Sequence, residues 1–250
     1  MRQIEAATEA GADMVKFQFW SDADALANRR HVPDHYREVY RRYQMPKTWL
    51  PALAQRCEQV GMPMAVTCYL PCDVPTIEPF TAAWKVASFE AGAMDLRDAI
   101  GQAAHKPLYL SVGMLDEVET AKAIGQWGRV AHGFRVLLCV SAYPAPLDAC
   151  NFRRMIGFDV DAPDFDGFSD HTANVLTGAF AVCAGAGVVE FHLRLDSTPE
   201  SNPDYACALD PKQAVEYCRL IRLAEVMMGD GVKRLMPAEE TMARYRTVTT

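Results

Sequence analysis

No stretch of this 250-residue sequence is apolar for anything like the roughly 20 residues of a helical bilayer span. No basic-then-apolar leader pattern opens it, so the expected setting is the cytoplasm. Cationic excess is missing too. Lys and Arg number 25 against 32 Asp and Glu, a formal charge of −7, which argues against nucleic acid or an anionic membrane as the main partner. A phosphorylated small molecule would need a local basic site working against that field. No GxGxxG follows a strand-like run, which removes the main support for a dinucleotide-binding sheet. No CxxC occurs among the eight cysteines, and Cys68 and Cys72 lack a second pair to complete a zinc site. Reduced thiols are expected, with Cys57, Cys139, Cys183 and Cys218 buried and Cys150 and Cys207 unassigned.

What is present is regular alternation, in a chain that is half hydrophobic and can bury a full core. Apolar runs predict strands at Asp13–Phe19, Met62–Tyr69, Ala82–Ser88, Lys106–Val112, Arg135–Ser141, Asp164–Asp170 and Gly187–Leu193. Helical spacing predicts helices at Met1–Gly11, Lys47–Val60, Asp95–Ala104, Leu115–Val130, Ala173–Ala186 and Asp210–Met228. Strands this apolar belong in a parallel sheet covered by helices. Polar residues fall at the C-terminal ends of the strands, where (β/α)8 barrels gather their sites. The predicted fold is therefore a (β/α)8 TIM-type barrel of which seven strands can be counted, the missing one preceding Met1. Two segments break the rhythm: Phe19–Met45, long for a βα loop and read as a lid or a solvated amphipathic turn, and Ser197–Leu209, beyond the last strand at the same rim.

Two histidines, His171 and His192, end successive strands 21 positions apart. Side by side at one rim, they suit a shared divalent ion, and Mn, Fe, Co or Zn all accept such ligands. Asp170 and Glu190 are candidates for orienting the rings, and alternation puts Glu190 on the face of His192. Lys16 and Lys85 interrupt otherwise apolar strands, an expensive placement without an anion. With Thr67, Ser88, Ser111 and Ser169 at neighbouring strand ends, they suit a phosphate or phosphoenol group. Ser141 ends the fifth strand in the same way. A lysine Schiff base is the other option, but a metal pair already supplies a carbonyl activator.

The strings KFQ (Lys16–Gln18), VTCY (Val66–Tyr69), WKVASFE (Trp84–Glu90), LSVGM (Leu110–Met114), LLCVSAYPAP (Leu137–Pro146), FSDHT (Phe168–Thr172), VEFHLRLD (Val189–Asp196) and NPDYACALDP (Asn202–Pro211) follow one another along nearly the whole chain. In that order they resemble the N-acetylneuraminate (sialic acid) synthase family, which condenses phosphoenolpyruvate with an N-acetylated hexose, such as N-acetylmannosamine, in a (β/α)8 barrel and releases phosphate. The resemblance implies that His171 and His192 bind a divalent metal, Mn2+ first, with Mg2+ or Co2+ as alternatives. It implies that Lys16, Thr67, Lys85, Ser88, Ser111 and Ser169 hold phosphoenolpyruvate, with Ser141 also on the substrate. Gln18, Glu90, Tyr143 and Asp204 would face the sugar, the last three as the catalytic set. A homodimer is the implied assembly.

Departures from the family pattern fall at Phe191 and Leu193, where E-K-H-F reads Glu190-Phe191-His192-Leu193, at Leu138-Cys139 in place of H-C, and at Pro203-Asp204-Tyr205 in place of P-D-H. An N-terminal glutamate and N-H-N-G segment and a C-terminal antifreeze-like domain are not recognised, so the expected organisation is one condensing domain over 1–236 and a tail over 237–250. The alternatives are a synthase for a different aldose, or an inactive ligand-binding barrel.

Overall fold

Each apolar run becomes a strand: β1 (Val15–Phe19), β2 (Met64–Cys68), β3 (Ala83–Val86), β4 (Leu108–Ser111), β5 (Phe134–Cys139), β6 (Gly167–Asp170) and β7 (Val188–Phe191). They form one sheet in chain order, every neighbouring pair parallel. The computed structural model describes residues 1–103, 105–131, 133–156 and 164–247; residue 104 of an expected helix and 248–250 of the expected tail lie outside the described residues. Among the described residues β1 and β7 have one strand neighbour each, so the sheet is an open parallel array of seven strands.

Parallel neighbours need a crossover, and helices supply most of them here. The helices are α1 (Arg2–Ala10), α2 (Ala23–Arg29), α3 (Asp34–Tyr43), α4 (Trp49–Gln59), α5 (Val74–Ile77), α6 (Met94–Gln102), α7 (Glu117–Trp127), α8 (Thr177–Cys183), α9 (Pro211–Met228) and α10 (Glu240–Ala243). Their ends follow local chemistry. α1 stops at Gly11, whose φ of 82° is the left-handed conformation that glycine adopts without penalty. Reciprocal capping boxes open α7, through Asp116 and Glu119, and α9, through Asp210 and Gln213.

The main core lies between sheet and helices. Trp84, Val86, Leu108, Leu110 and Val136 from the strands meet Ile4, Leu53, Leu96 and Trp127 from the helices. Trp127 is fully buried and satisfies its indole N–H on the Ala91 carbonyl at 2.7 Å; truncating so large a core side chain costs about 3–5 kcal/mol. A second cluster joins Ala10 to Leu209, Ala214, Tyr217 and Cys218, so that α1 packs on α9. α8 reaches α9 through Gly178, where a Cβ would stand 2.6 Å from the Tyr217 ring.

Two expectations about the fold need correction. Phe19–Met45 is not an irregular loop, since it folds into α2 and α3. Asp22 caps α2 by accepting from the N–H groups of Asp24 and Ala25. Tyr40 and Tyr43 of α3 pack on the Trp20, Leu26 and Leu70 cluster, which gives this charged helix its one apolar side. Cys183 is exposed at the end of α8, not buried; all eight thiols are free, and Cys57, Cys139 and Cys218 are buried. Asp170, Glu190 and Glu90 are taken up with the site. No helix among the described residues is long and apolar enough to cross a membrane.

Candidate active site

Strand register brings the polar residues together. Gln18 of β1 pairs with Thr67 of β2, Thr67 with Lys85 of β3, Cys139 of β5 with Ser169 of β6, and Ser169 with Glu190 of β7. Registered partners in a parallel sheet project to the same face, so one face of the sheet collects these groups.

One half of the site is rich in ammonium and hydroxyl groups. Lys16 Nζ donates to Thr67 Oγ1 at 3.3 Å, and Lys85 Nζ to Ser111 Oγ at 2.8 Å and to the Val86 carbonyl at 3.1 Å. Lys85 is buried and lies 3.8 Å from Glu190, which also accepts from Ser169 Oγ at 3.0 Å. Burial pulls Lys85 below the usual ammonium value, against the opposing field of Glu190. Burial alone would raise Glu190, but the Lys85 and Lys16 ammoniums hold it down at about 2.

Beside this cluster, Ser88 Oγ accepts from the Gly113 N–H at 2.9 Å. A Cβ on Gly113 would stand 2.4 Å from Ser141 Oγ and 3.1 Å from Ser88 Oγ, so the two hydroxyls converge on bare backbone. Ser141 Oγ, with Trp84 Nε1, is one of two buried side-chain polar atoms without a partner among the described residues. Buried donors are normally satisfied, so the unpartnered Ser141 hydroxyl is a candidate donor to an anion.

The histidines form the second part. The rings of His171 and His192 are 5.0 Å apart, centroid to centroid, and inclined at 58°. Tyr143, whose peptide bond to Pro144 is cis, lies 4.4 Å from His171 and 6.5 Å from His192. His171 Nδ1 is 2.7 Å from the Val140 carbonyl, which can only accept, so that nitrogen carries the proton and Nε2 keeps its lone pair. His192 Nδ1 likewise faces Asp204 at 3.2 Å. Two imidazoles steered through their outer nitrogens fit a divalent ion held between the inner ones. A second group, His192, Asp204 and Cys207, has ligand atoms within 4.8 Å of one another. It fits less well: Cys207 donates its S–H to the Asp204 carbonyl, and burial pushes the thiol up to about 12, far from a ligating thiolate.

Asp170 does not orient either ring. Strand alternation turns it away from Ser169 and His171, and its carboxylate accepts from Tyr217 Oη of α9 at 2.8 Å and the Thr172 N–H at 2.7 Å. Glu190 makes no hydrogen bond to either histidine; the orienting groups are the Val140 carbonyl and Asp204. Cys139, expected as a bland buried thiol, is buried 3.7 Å from His171 Nδ1. Burial would raise it, but the imidazole and Lys85 draw it below the usual thiol value.

Gln18 and Asp204 line a third part, with Gln18 Nε2 donating to Asp204 Oδ2 at 3.0 Å. Burial would raise Asp204, yet His192, Lys16 and Gln18 hold it at about 2. Glu90 stands apart. It is 1% exposed, and Arg30 takes both its oxygens, Nε to Oε1 at 2.8 Å and Nη2 to Oε2 at 2.9 Å. A depression of about 680 Å³ beside this pair, lined by Arg29, Arg30, Phe89, Glu90 and the start of α6, contains none of the lysines, serines or histidines above. Sequence reasoning passed over Arg30 and Tyr69. The available signals were an Arg-Arg pair within the segment read as a lid and a tyrosine two residues past Thr67.

A parallel α/β sheet with ammonium, hydroxyl and imidazole groups gathered on one face at the strand ends has the arrangement of the strand-end sites of α/β barrels. Within it, the sequence pattern of the NeuB family matches residues 3–233, and the chain belongs to that family. It is 30% identical over 253 residues to N,N'-diacetyllegionaminic acid synthase of Legionella pneumophila, covering 92% of this chain and 69% of that protein. It is 29% identical over 254 residues to the human N-acetylneuraminate-9-phosphate synthase, covering 95% and 69%. The crystal structure of N-acetylneuraminic acid (sialic acid) synthetase from Leptospira borgpetersenii shares the fold, with a TM-score of 0.87, 21% identity, and coverage of 98% of this chain and 84% of that one.

Proposed function

We propose that this protein condenses phosphoenolpyruvate with an amino sugar, an N-acetylated hexose such as N-acetylmannosamine, to give a nonulosonic acid and inorganic phosphate. One observation carries the reading: the Lys85–Glu190–Ser169 cluster adjoins the paired rings of His171 and His192, an arrangement that suits an anion held by the lysines beside a metal ion held by the rings. Family membership supports it.

Lys16, Lys85 and the Gly113 backbone, with Thr67, Ser88, Ser111, Ser141 and Ser169, hold the phosphoenol end. The ammoniums disperse charge on phosphate as it leaves. The enol C3 of phosphoenolpyruvate bonds to the aldehyde carbon of the open-chain sugar, water adds at C2, and the C2–O bond to phosphate breaks from the resulting tetrahedral carbon. His171 and His192 would hold a divalent ion, Mn2+ in the first place, which supplies Lewis acidity toward the aldehyde oxygen. Gln18, Asp204 and Tyr143 orient the sugar, and the ring of Tyr143 screens His171 from water. The seven strands fit a (β/α)8 framework with an eighth strand between β7 and β1, the two strands that are largely half-buried.

Glu90, clasped by Arg30, favours a second reading in which a different aldose is the acceptor. Calorimetric titration with phosphoenolpyruvate and Mn2+, then phosphate release on adding N-acetylmannosamine, tests the proposal. Phosphoenolpyruvate binding without release for any aldose rejects the condensing reading.

A further inference from the structure

Tyr205 stands where the family pattern has histidine, directly after Asp204. Its ring lies 4.6 Å from the guanidinium carbon of Arg194, the second residue past His192. The His192–Asp204 contact and the Arg194–Tyr205 stack therefore bridge the same two stretches of backbone, as adjacent rungs. Arg194 is half-buried, and its Nη2 also comes within 4.0 Å of Asp210, the residue that caps α9. One guanidinium thus ties the continuation of β7 to the loop after it and to the start of α9.

The loop needs such a tie. Segment 197–209 is a run of turns with no helix or strand of its own. Its far end is pinned where Leu209 pairs with Leu193: the Leu209 N–H donates to the His192 carbonyl at 2.8 Å, and the Arg194 N–H to the Leu209 carbonyl at 2.9 Å. Around Asp204 the backbone bonds stay inside the loop. Its N–H donates to Asn202 Oδ1 at 2.9 Å and its carbonyl accepts from the Cys207 thiol. These bonds shape the turn without placing it against His192. Placement is exacting, because one oxygen, Asp204 Oδ2, takes both Gln18 Nε2 at 3.0 Å and His192 Nδ1 at 3.2 Å. Gln18 is itself held by Tyr69 Oη.

Resting on the metal-binding part of the proposed function, we infer that Arg194 and Tyr205 are positioning residues. Their stack holds Asp204 against His192 Nδ1 and so keeps the Nε2 lone pair free for the metal. Neither residue is a ligand; both act through Asp204. A guanidinium over an aromatic face is attractive and leaves its planar edge for a carboxylate, here that of Asp210. Without the stack the loop regains backbone freedom, which favours other placements of Asp204. His192 then loses the acceptor that selects its tautomer.

Arg194→Met keeps the apolar stem and removes the guanidinium, Tyr205→Ala removes the ring, and Tyr205→Phe keeps its face. Long-range 1H–15N NMR of the imidazoles in the metal-free full chain reads the tautomer at about pH 8, above the ordinary histidine pKa, with His192 assigned from His192→Ala. Wild type and Tyr205→Phe are expected to hold His192 as the Nδ1–H form. Arg194→Met and Tyr205→Ala are expected to give a mixture of tautomers, with the His171 signals unmoved. In calorimetric titration with Mn2+, each of these two variants should bind about 3- to 10-fold more weakly. The double variant should bind no more weakly than either, since one interaction is lost only once. An unshifted His192 tautomer or wild-type Mn2+ affinity in Arg194→Met, additive losses in the double variant, or Tyr205→Phe as weak as Tyr205→Ala overturns the inference. Mn2+ binding untouched by His192→Ala removes the metal pair, and the inference with it. The expected Mn2+ losses without phosphate release from any aldose leave the inference standing and sink the condensing reading alone.

Discussion

Lys85 and Glu190 approach each other to 3.8 Å from non-adjacent strands, β3 and β7, with side chains only 4% and 16% exposed. A buried pair of this kind adds little net stability, because desolvation offsets most of the attraction, but losing one partner strands the other. Its value here is positional. It sets an ammonium beside Ser111 and fixes the carboxylate beside Ser169, next to the paired histidines.

Lys85→Met is therefore expected to act twice. Loss of a charge-assisted contact, worth about 1.5–3 kcal/mol, lowers phosphoenolpyruvate affinity by roughly 10- to 100-fold. The stranded Glu190 also destabilises the fold, and Lys85→Met with Glu190→Gln should recover much of that loss without recovering the ligand. Urea unfolding beside calorimetry separates the two; restored phosphoenolpyruvate binding in the double variant contradicts the assignment.

Gly113→Ala tests the close approach of the Ser88 and Ser141 hydroxyls to the Gly113 backbone. The added Cβ needs the space that Ser141 Oγ now holds at 2.4 Å. Overpacking of this kind costs about 1–3 kcal/mol, and phosphoenolpyruvate binding is expected to fall with far-UV circular dichroism unchanged. Unaltered binding would place the anion elsewhere.

Two neighbouring aspartates make a contrast. Asp204→Asn is expected to weaken Mn2+ binding by about 10- to 100-fold, as loss of an outer partner of a ligating histidine does. Asp170→Asn weakens the Tyr217 anchor between β6 and α9 and should lower stability by about 1–3 kcal/mol with Mn2+ affinity kept. Electron paramagnetic resonance titration of free Mn2+ checks both, and a reversed pattern would restore Asp170 as the orienting group.

That aspartate shows where sequence reading stops. All seven strands were legible because buried parallel strands are nearly continuous apolar runs, and the strand-end lysines, serines and histidines stood out against them. Alternation of the same strand also implies that Asp170 faces away from His171, an implication left unused in pairing them. α2 and α3 were illegible for a different reason: they are short and charge-dense, and the contacts that hold them, such as Trp20 with Tyr40, are tertiary. Arg30 gains meaning only when α2 brings it against Glu90, which follows it by 60 positions.

Acid stability of the metal-free protein should report Glu190. Its folded value of about 2 lies below the unfolded value of ~4.3, so its contribution is fully present above pH ~4.3 and disappears as pH falls through the folded value. The shift corresponds to ~3 kcal/mol, lost mostly between pH ~5 and ~2. In EDTA, wild type is expected to lose urea stability steeply across that window, and Glu190→Gln to lose it with a slope shallower by about one proton. Asp204 contributes in the same direction and is intact in both proteins, so it cancels from the difference. Parallel slopes would mean that Glu190 titrates normally, and hence that Lys85 does not face it in solution.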